Sequence, residues 1–229
     1  MLRDATIVFD LDGTLVDTAP DLTNALNAVL TRRGITPVPV EAIRDCVGRG
    51  ARVMIEQSLE RAGAQGDVDE MLAEFLVHYE ANIARESRPF PGALAALERL
   101  SAKGATLAIC TNKREYLSRM LLQELEIEHF FSALAGRDTF PVAKPDPGHL
   151  TGVIARAGGN LERSLMIGDS DVDLRTAQAA SIPIVLVSFG YGPRPRDGVA
   201  PDATIDHFDE LEGRAAALLN GSKTGRAHG

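Results

Sequence analysis

The stretch Ile7-Val8-Phe9-Asp10-Leu11-Asp12-Gly13-Thr14-Leu15-Val16-Asp17 decides the reading of this chain. It opens within a β-branched and aromatic run, Ala5 to Phe9, that predicts a fully buried strand. The strand ends on one carboxylate, Asp10; a second, Asp12, comes two residues later, with a glycine behind it. In an open parallel α/β sheet, ligands gather at the carboxyl ends of the strands. A buried carboxylate there is costly unless a cation or a metal faces it. The pair therefore points to chemistry rather than to packing.

Downstream, the pattern turns helical. Thr18, with Ala19-Pro20-Asp21 behind it, reads as an N-cap with Pro and Asp in the first turn. Leu22, Ala25, Leu26, Val29 and Leu30 then recur at helical spacing up to Gly34. From Val40 to Arg85 no alternating strand is visible. Val53, Met54, Ile55 and Leu59 mark one amphipathic helix, and Met71, Leu72, Phe75, Leu76 and Tyr79 another. Pro89-Phe90-Pro91-Gly92 reads as a return hinge. Beyond it helices (93–100, 114–125, 148–157, 172–180, 208–219) alternate with strands (105–110, 133–135, 164–167, 184–187, 204–205). Such alternation implies a parallel sheet with right-handed crossovers. The expected fold class is α/β: a Rossmann-like, doubly wound parallel sheet core from 1–16 and 89–220, with an inserted all-helical block at 17–88. The polar stretch 221–229 is expected to fray.

Composition sets bounds. The chain has 229 residues, 45% hydrophobic and 24% charged, enough for one sizeable core plus an insertion. A net charge of −8 and a pI near 5.2 argue against a nucleic-acid partner. An acidic protein acting on anionic substrates needs a cation or a local basic patch at its site. Cys46 and Cys110 are far apart and suggest no disulfide framework; Cys110, in an apolar run, reads as a reduced core residue. With no signal-peptide pattern and no membrane-length apolar run, a cytoplasmic protein with no membrane partner is expected, as monomer or homodimer. His78, His129, His149, His207 and His228 form no ligand pattern and read as surface or packing residues. Lys113, beside a strand end, could raise the local potential, but is expected to be solvated.

Three strand ends and one loop carry the chemistry-bearing residues: Asp10 and Asp12, Thr111 and Asn112, Ala143-Lys144-Pro145-Asp146-Pro147, and Gly168-Asp169-Ser170. Taken in order, with Asp-x-Asp-Gly-Thr-Leu-x-Asp first, they resemble the four motifs of the haloacid dehalogenase superfamily of phosphohydrolases. The resemblance runs from Ile7 to about Leu211. It implies a helical cap between the first and second motifs and a phosphorylated substrate. Phosphoryl transfer from a dianion to a carboxylate requires that the repulsion be cancelled, by a metal ion and a lysine. Magnesium favours octahedral oxygen ligation. The resemblance implies Mg²⁺ bound by the side chains of Asp10 and Asp169 and the backbone carbonyl of Asp12. It makes Asp10 the covalent nucleophile and Asp12 the general acid and base. The Thr111 hydroxyl and the backbone amides from Asn112 onward would hold the phosphoryl group, and Lys144 would neutralise it. Asp173 is expected to hold Lys144 or metal-bound water. Ser170 suits an N-cap, and Asp171 is expected to be exposed.

Within that superfamily, a haloacid dehalogenase needs no acid at Asp12, and a phosphonate hydrolase needs a cap lysine. The segment 17–88 contains none. A β-phosphoglucomutase-like phosphotransferase shares both aspartates but uses a His-Lys pair in its cap. The stretch Cys46-Val47-Gly48-Arg49-Gly50-Ala51 resembles the Val-Gly-x-Gly loop of bacterial phosphoglycolate phosphatases. The implied substrate is a small phosphorylated metabolite, 2-phosphoglycolate first. A sugar-phosphate phosphatase, such as one acting on N-acetylmuramic acid 6-phosphate, stands behind it. Gly48, Arg49 and Gly50 would read the leaving-group carboxylate through backbone amides and a guanidinium. A catalytically silent phosphate-binding module would have lost Asp10, Asp12, Lys144 or Asp169, and all four are present.

Overall fold

In the computed structural model, which describes residues 2–192 and 200–221, the first strand, β1 (Thr6–Phe9), is buried along its whole length. It lies mid-sheet, between β4 (Thr106–Cys110) and β6 (Ser164–Gly168), with Thr6 opposite both Thr106 and Ser164. Outside these run β5 (Phe131–Ala135) on one side and β7 (Ile184–Val187) and β8 (Ala203–Ile205) on the other. The order is β5-β4-β1-β6-β7-β8, with every neighbouring pair parallel. The chain leaves β1 for one half of the sheet and returns to the other half at β6. That reversal makes the carboxyl end of β1 the switch point where α/β sheets bind ligands.

Buried strands of a parallel sheet show apolar residues on both faces, and β1 divides its own between two helical layers. Ile7 and Phe9 join Leu107, Ile109 and Ile167 beneath α4 (Ala93–Ala102), α5 (Glu115–Glu124) and α8 (Leu211–Gly221). Val8 joins Ala108, Cys110 and Met166 beneath α6 (Pro147–Arg156) and α7 (Asp171–Ala179). The helix expected over 208–219 begins with a 3₁₀ turn at Phe208–Glu210 before α8.

Between β1 and α4 lie α1 (Ala19–Arg32), α2 (Ala51–Ala62) and α3 (Val68–Ala81). Their buried residues Leu26, Met54, Phe75 and Tyr79 belong to the same apolar cluster as Ile7 and Phe9. The helical block thus continues the core on one face of the sheet. Its two connections pair with each other: β2 (Val16–Asp17) runs antiparallel to β3 (Arg88–Pro89). Two-residue strands carry no periodicity, so the sequence showed only a hinge here. The Thr18 side chain makes no cap bond. Asp21 stands in the first turn of α1, as expected, and is buried. It accepts hydrogen bonds from Glu86 N (3.0 Å), Ser87 N (2.8 Å) and Ser87 Oγ (2.7 Å), because the return connection presents free donors at the start of α1. Residues 222–229, including His228, lie outside the described residues. Among the described residues, no helix is long and apolar enough to cross a membrane.

Candidate active site

The Asp10 amide donates to Ile167 O at 2.9 Å, so the backbone stays pinned between β1 and β6 one residue beyond the strand. Asp10 Oδ1 accepts from Leu11 N (2.7 Å) and meets Lys144 Nζ (2.9 Å). Oδ2 has no protein donor among the described residues, and Asp10 lines a cavity of about 520 Å³. Lys144, its side chain 2% exposed, also donates to Asp173 Oδ1 at 2.6 Å. Its backbone N–H donates to His149 Nδ1 (3.2 Å), and His149 Nε2 donates to Gly136 O (3.0 Å). The loop carrying the lysine is thereby fixed by a fully buried histidine. Burial, then the nearby Lys144 charge, pushes the His149 pKa down to about 4, so the ring is neutral.

The loop after β6 supplies the other carboxylates. Asp169 Oδ2 accepts from Tyr191 N (2.7 Å) and Gly192 N (3.0 Å), and Oδ1 accepts from Thr14 Oγ1 (3.2 Å). Asp173 Oδ2 accepts from Asp169 N, Ser170 N and Ser170 Oγ, while Ser170 Oγ accepts from Asp173 N, a reciprocal cap on α7. With Oδ1 committed to Lys144, Asp173 orients its neighbours. Gly13 holds φ +81°, and a Cβ there would stand 2.6 Å from both Asp169 Oδ2 and the Tyr191 ring. Only glycine lets the first loop pass this close.

Asp10, Asp169 and Asp173 each offer an oxygen within 4.8 Å of the others. Burial foremost, and repulsion by neighbouring carboxylates, raises Asp10 and Asp169 above the ordinary carboxylate range; Lys144 opposes the rise at Asp10. Three carboxylates against one ammonium leave a formal charge of −2. The donor set is hard oxygen, and Asp10 Oδ2 is open. These features fit a divalent cation of the oxygen-seeking kind.

Asp12 is held differently. Lys113 Nζ lies 3.1 and 3.2 Å from its two oxygens, both side chains being under 10% exposed, and 4.6 Å above the Tyr79 ring. The expectation of a solvated Lys113 is therefore corrected: a carboxylate from β1's loop and an aromatic face from α3 enclose it. Thr111 is buried, and its Oγ1 accepts from Lys113 N (3.2 Å). Asn112 Nδ2 donates to Lys144 O (3.1 Å) and Gly48 O (3.5 Å), joining two loops of the core to the helical block. Gly48 and Arg49 line the 520 Å³ cavity with Asp10, Asp12, Lys144 and Asp169. Gly50 faces a second cavity of about 580 Å³, shared with Gly48, Asp12 and Lys113. Gly48 and Gly50 have φ of +84° and +100°, values that favour glycine. Asp171, expected to be exposed, is half-buried and pairs with Arg175 at 2.8 Å. Cys46 and Cys110 are free and buried.

Residues 7–187 match the family of haloacid dehalogenase-like hydrolases. The chain is 49% identical over 216 residues to the phosphoglycolate phosphatase of Mesorhizobium japonicum, covering 93% of this chain and 95% of that one. It is 44% identical to the phosphoglycolate phosphatase of Agrobacterium fabrum, covering 89% of each. A crystal structure described as a predicted phosphoglycolate phosphatase from Haemophilus somnus superposes with a TM-score of 0.85 at 27% identity, over 93% of this chain and 98% of that one. The sheet order, the carboxylate cluster beyond β1 and these likenesses agree: the chain belongs to the haloacid dehalogenase-like hydrolases. Within that family it is phosphoglycolate phosphatase-like and a phosphoric monoester hydrolase.

Proposed function

We propose that this enzyme hydrolyses 2-phosphoglycolate to glycolate and phosphate, with magnesium at the Asp10–Asp169 cluster. The observation that carries the reading is the buried set of Asp10, Asp169, Asp173 and Lys144, formally −2, lining or adjoining the cavity that Gly48 and Arg49 enter. The relatives' substrate supports the choice of leaving group. Magnesium, when bound by Asp10, Asp169 and the Asp12 carbonyl, would supply charge neutralisation at the phosphoryl oxygens.

The protein's own groups do the rest. The Asp10 carboxylate attacks phosphorus and the bond to the ester oxygen breaks, giving an aspartyl-phosphate. Asp12 gives its proton to the departing alkoxide and then takes one from the attacking water, which releases phosphate and restores Asp10. Lys144 holds Asp10 and a phosphoryl oxygen together. The Thr111 hydroxyl and the amides from Asn112 onward orient that group, and Asp173 and Ser170 hold the frame. Residues 17–88 act as a cap that excludes water, with the Gly48–Gly50 backbone facing the leaving group.

A panel of phosphorylated metabolites, assayed for phosphate release with magnesium, tests the substrate. Phosphoglycolate should show the highest kcat/KM; a sugar phosphate such as N-acetylmuramic acid 6-phosphate ahead of it would overturn the assignment. Mass spectrometry of acid-quenched enzyme should find phosphate on the Asp10 peptide, and none in Asp10→Asn.

A further inference from the structure

The two cavities meet at Asp12, Val47, Gly48 and Asn112. The smaller one holds Asp10 and its cluster. The larger, about 580 Å³, extends from Asp12 along the helical block, walled by Met54, Leu72, Phe75 and Leu76. Its charged lining is unbalanced: Lys113, Arg52, Arg114 and Arg137 against Asp12 and Asp138. A concave site with such an excess draws anions.

Two of its groups are incompletely used. The Lys113 ammonium has three protons. It donates to the two Asp12 oxygens, and the Tyr79 ring lies beneath it. Tyr79 lines the same cavity; its buried hydroxyl interacts with the Lys113 charge but makes no hydrogen bond of regular geometry among the described residues. A buried hydroxyl left unpaired costs free energy, and in a native fold it calls for a ligand or another explanation.

We propose that Lys113 and the Tyr79 hydroxyl form the subsite for the leaving group's carboxylate, a specificity site on the far side of Asp12 from the phosphoryl cluster. The inference rests on the phosphoglycolate reading and deepens it. The ester oxygen that Asp12 protonates must lie against Asp12. In a glycolate ester one carbon separates that oxygen from the carboxyl carbon, so the carboxylate oxygens fall within roughly 4 Å of it by covalent geometry. Lys113 Nζ is already 3.1 Å from Asp12, at the distance such a carboxylate needs. Arg49 lines the other cavity, beside Asp10 and Lys144.

The test compares kcat/KM for 2-phosphoglycolate and for 2-hydroxyethyl phosphate, which replaces the carboxylate by an uncharged alcohol. The wild type, Lys113→Met, Lys113→Arg and Tyr79→Phe are measured with magnesium. Loss of a charged hydrogen bond predicts that Lys113→Met lowers the preference for phosphoglycolate roughly 10- to 100-fold. Lys113→Arg should retain most of the preference. Tyr79→Phe should lower it about 5- to 10-fold, chiefly through KM. Should Lys113→Met fail to fold, Tyr79→Phe decides alone. A wild type that prefers phosphoglycolate, with that preference unchanged in Tyr79→Phe and in folded Lys113→Met, overturns the subsite and leaves the substrate assignment standing. A wild type with no preference removes both.

Discussion

Replacing Lys144 by methionine keeps the length of the stem and removes one charge from the centre of the site. The ammonium contacts Asp10 at 2.9 Å and Asp173 at 2.6 Å, all three side chains being under 10% exposed. Removing one partner of a buried ion pair costs about 3–5 kcal/mol, because the opposite charge stays behind without water. Here two carboxylates lose their cation, and the cluster goes from −2 to −3. The lower figure applies where Asp10 takes up a proton in compensation. Against a total stability of about 5–15 kcal/mol, that is a large fraction. Magnesium offers an independent check, since a divalent cation would bring the cluster from −3 back to −1. Urea unfolding of wild type and Lys144→Met, each in EDTA and in excess magnesium, should show the full loss in EDTA and a smaller one in magnesium. Turnover should stay depressed by at least about 10²-fold in both, because the ammonium also faces the phosphoryl group. A variant within about 0.5 kcal/mol of wild type in EDTA would refute the reasoning, since ordinary surface changes fall in that range.

Chelation should abolish turnover, magnesium should restore it, and calcium should inhibit through its larger, looser shell; full activity in metal-free buffer would remove the metal assignment. Gly13→Ala should cost about 2–5 kcal/mol, from left-handed strain and from a Cβ 2.6 Å from Asp169 Oδ2, and should weaken magnesium binding measured by calorimetry. His149 is held near pKa 4 when folded and titrates near 6.5 when unfolded. Its contribution to stability is therefore complete above about pH 7 and lost as pH falls toward 4, by about 2 kcal/mol between pH 7 and pH 5. Denaturation at the two pH values should show this dependence in the wild type and its disappearance in His149→Asn.

What could be read from the sequence was local or periodic. The buried strand at Ile7–Phe9 is a continuous apolar run, and strands and helices beyond Gly92 were placed to within about two residues. Asp10, Lys144 and Asp169 stood out because motif order substitutes for distance. Lys113 did not, because the groups that bury it lie on another element: Asp12 is 101 positions away, and Tyr79 belongs to the helical block. The burial of Asp21 went unseen for the same reason, its donors being 65 and 66 residues downstream. His149 and Tyr191 act through a ring nitrogen and a backbone amide, which no residue pattern announces.

The register of the two short connecting strands has a topological consequence. Asp17 stands opposite Arg88, so the roughly 70 residues between them are, for the rest of the chain, the loop of one overgrown hairpin. Closing a loop of that length rather than one of four residues costs only about 2–3 kcal/mol, since closure entropy grows with the logarithm of length. Everything the insertion brings, including Gly48, Arg49 and Tyr79, is therefore obtained without lengthening the path between any two strands of the large sheet except at one mouth. The same geometry joins the two connections into a single seam, because paired strands resist separate twisting.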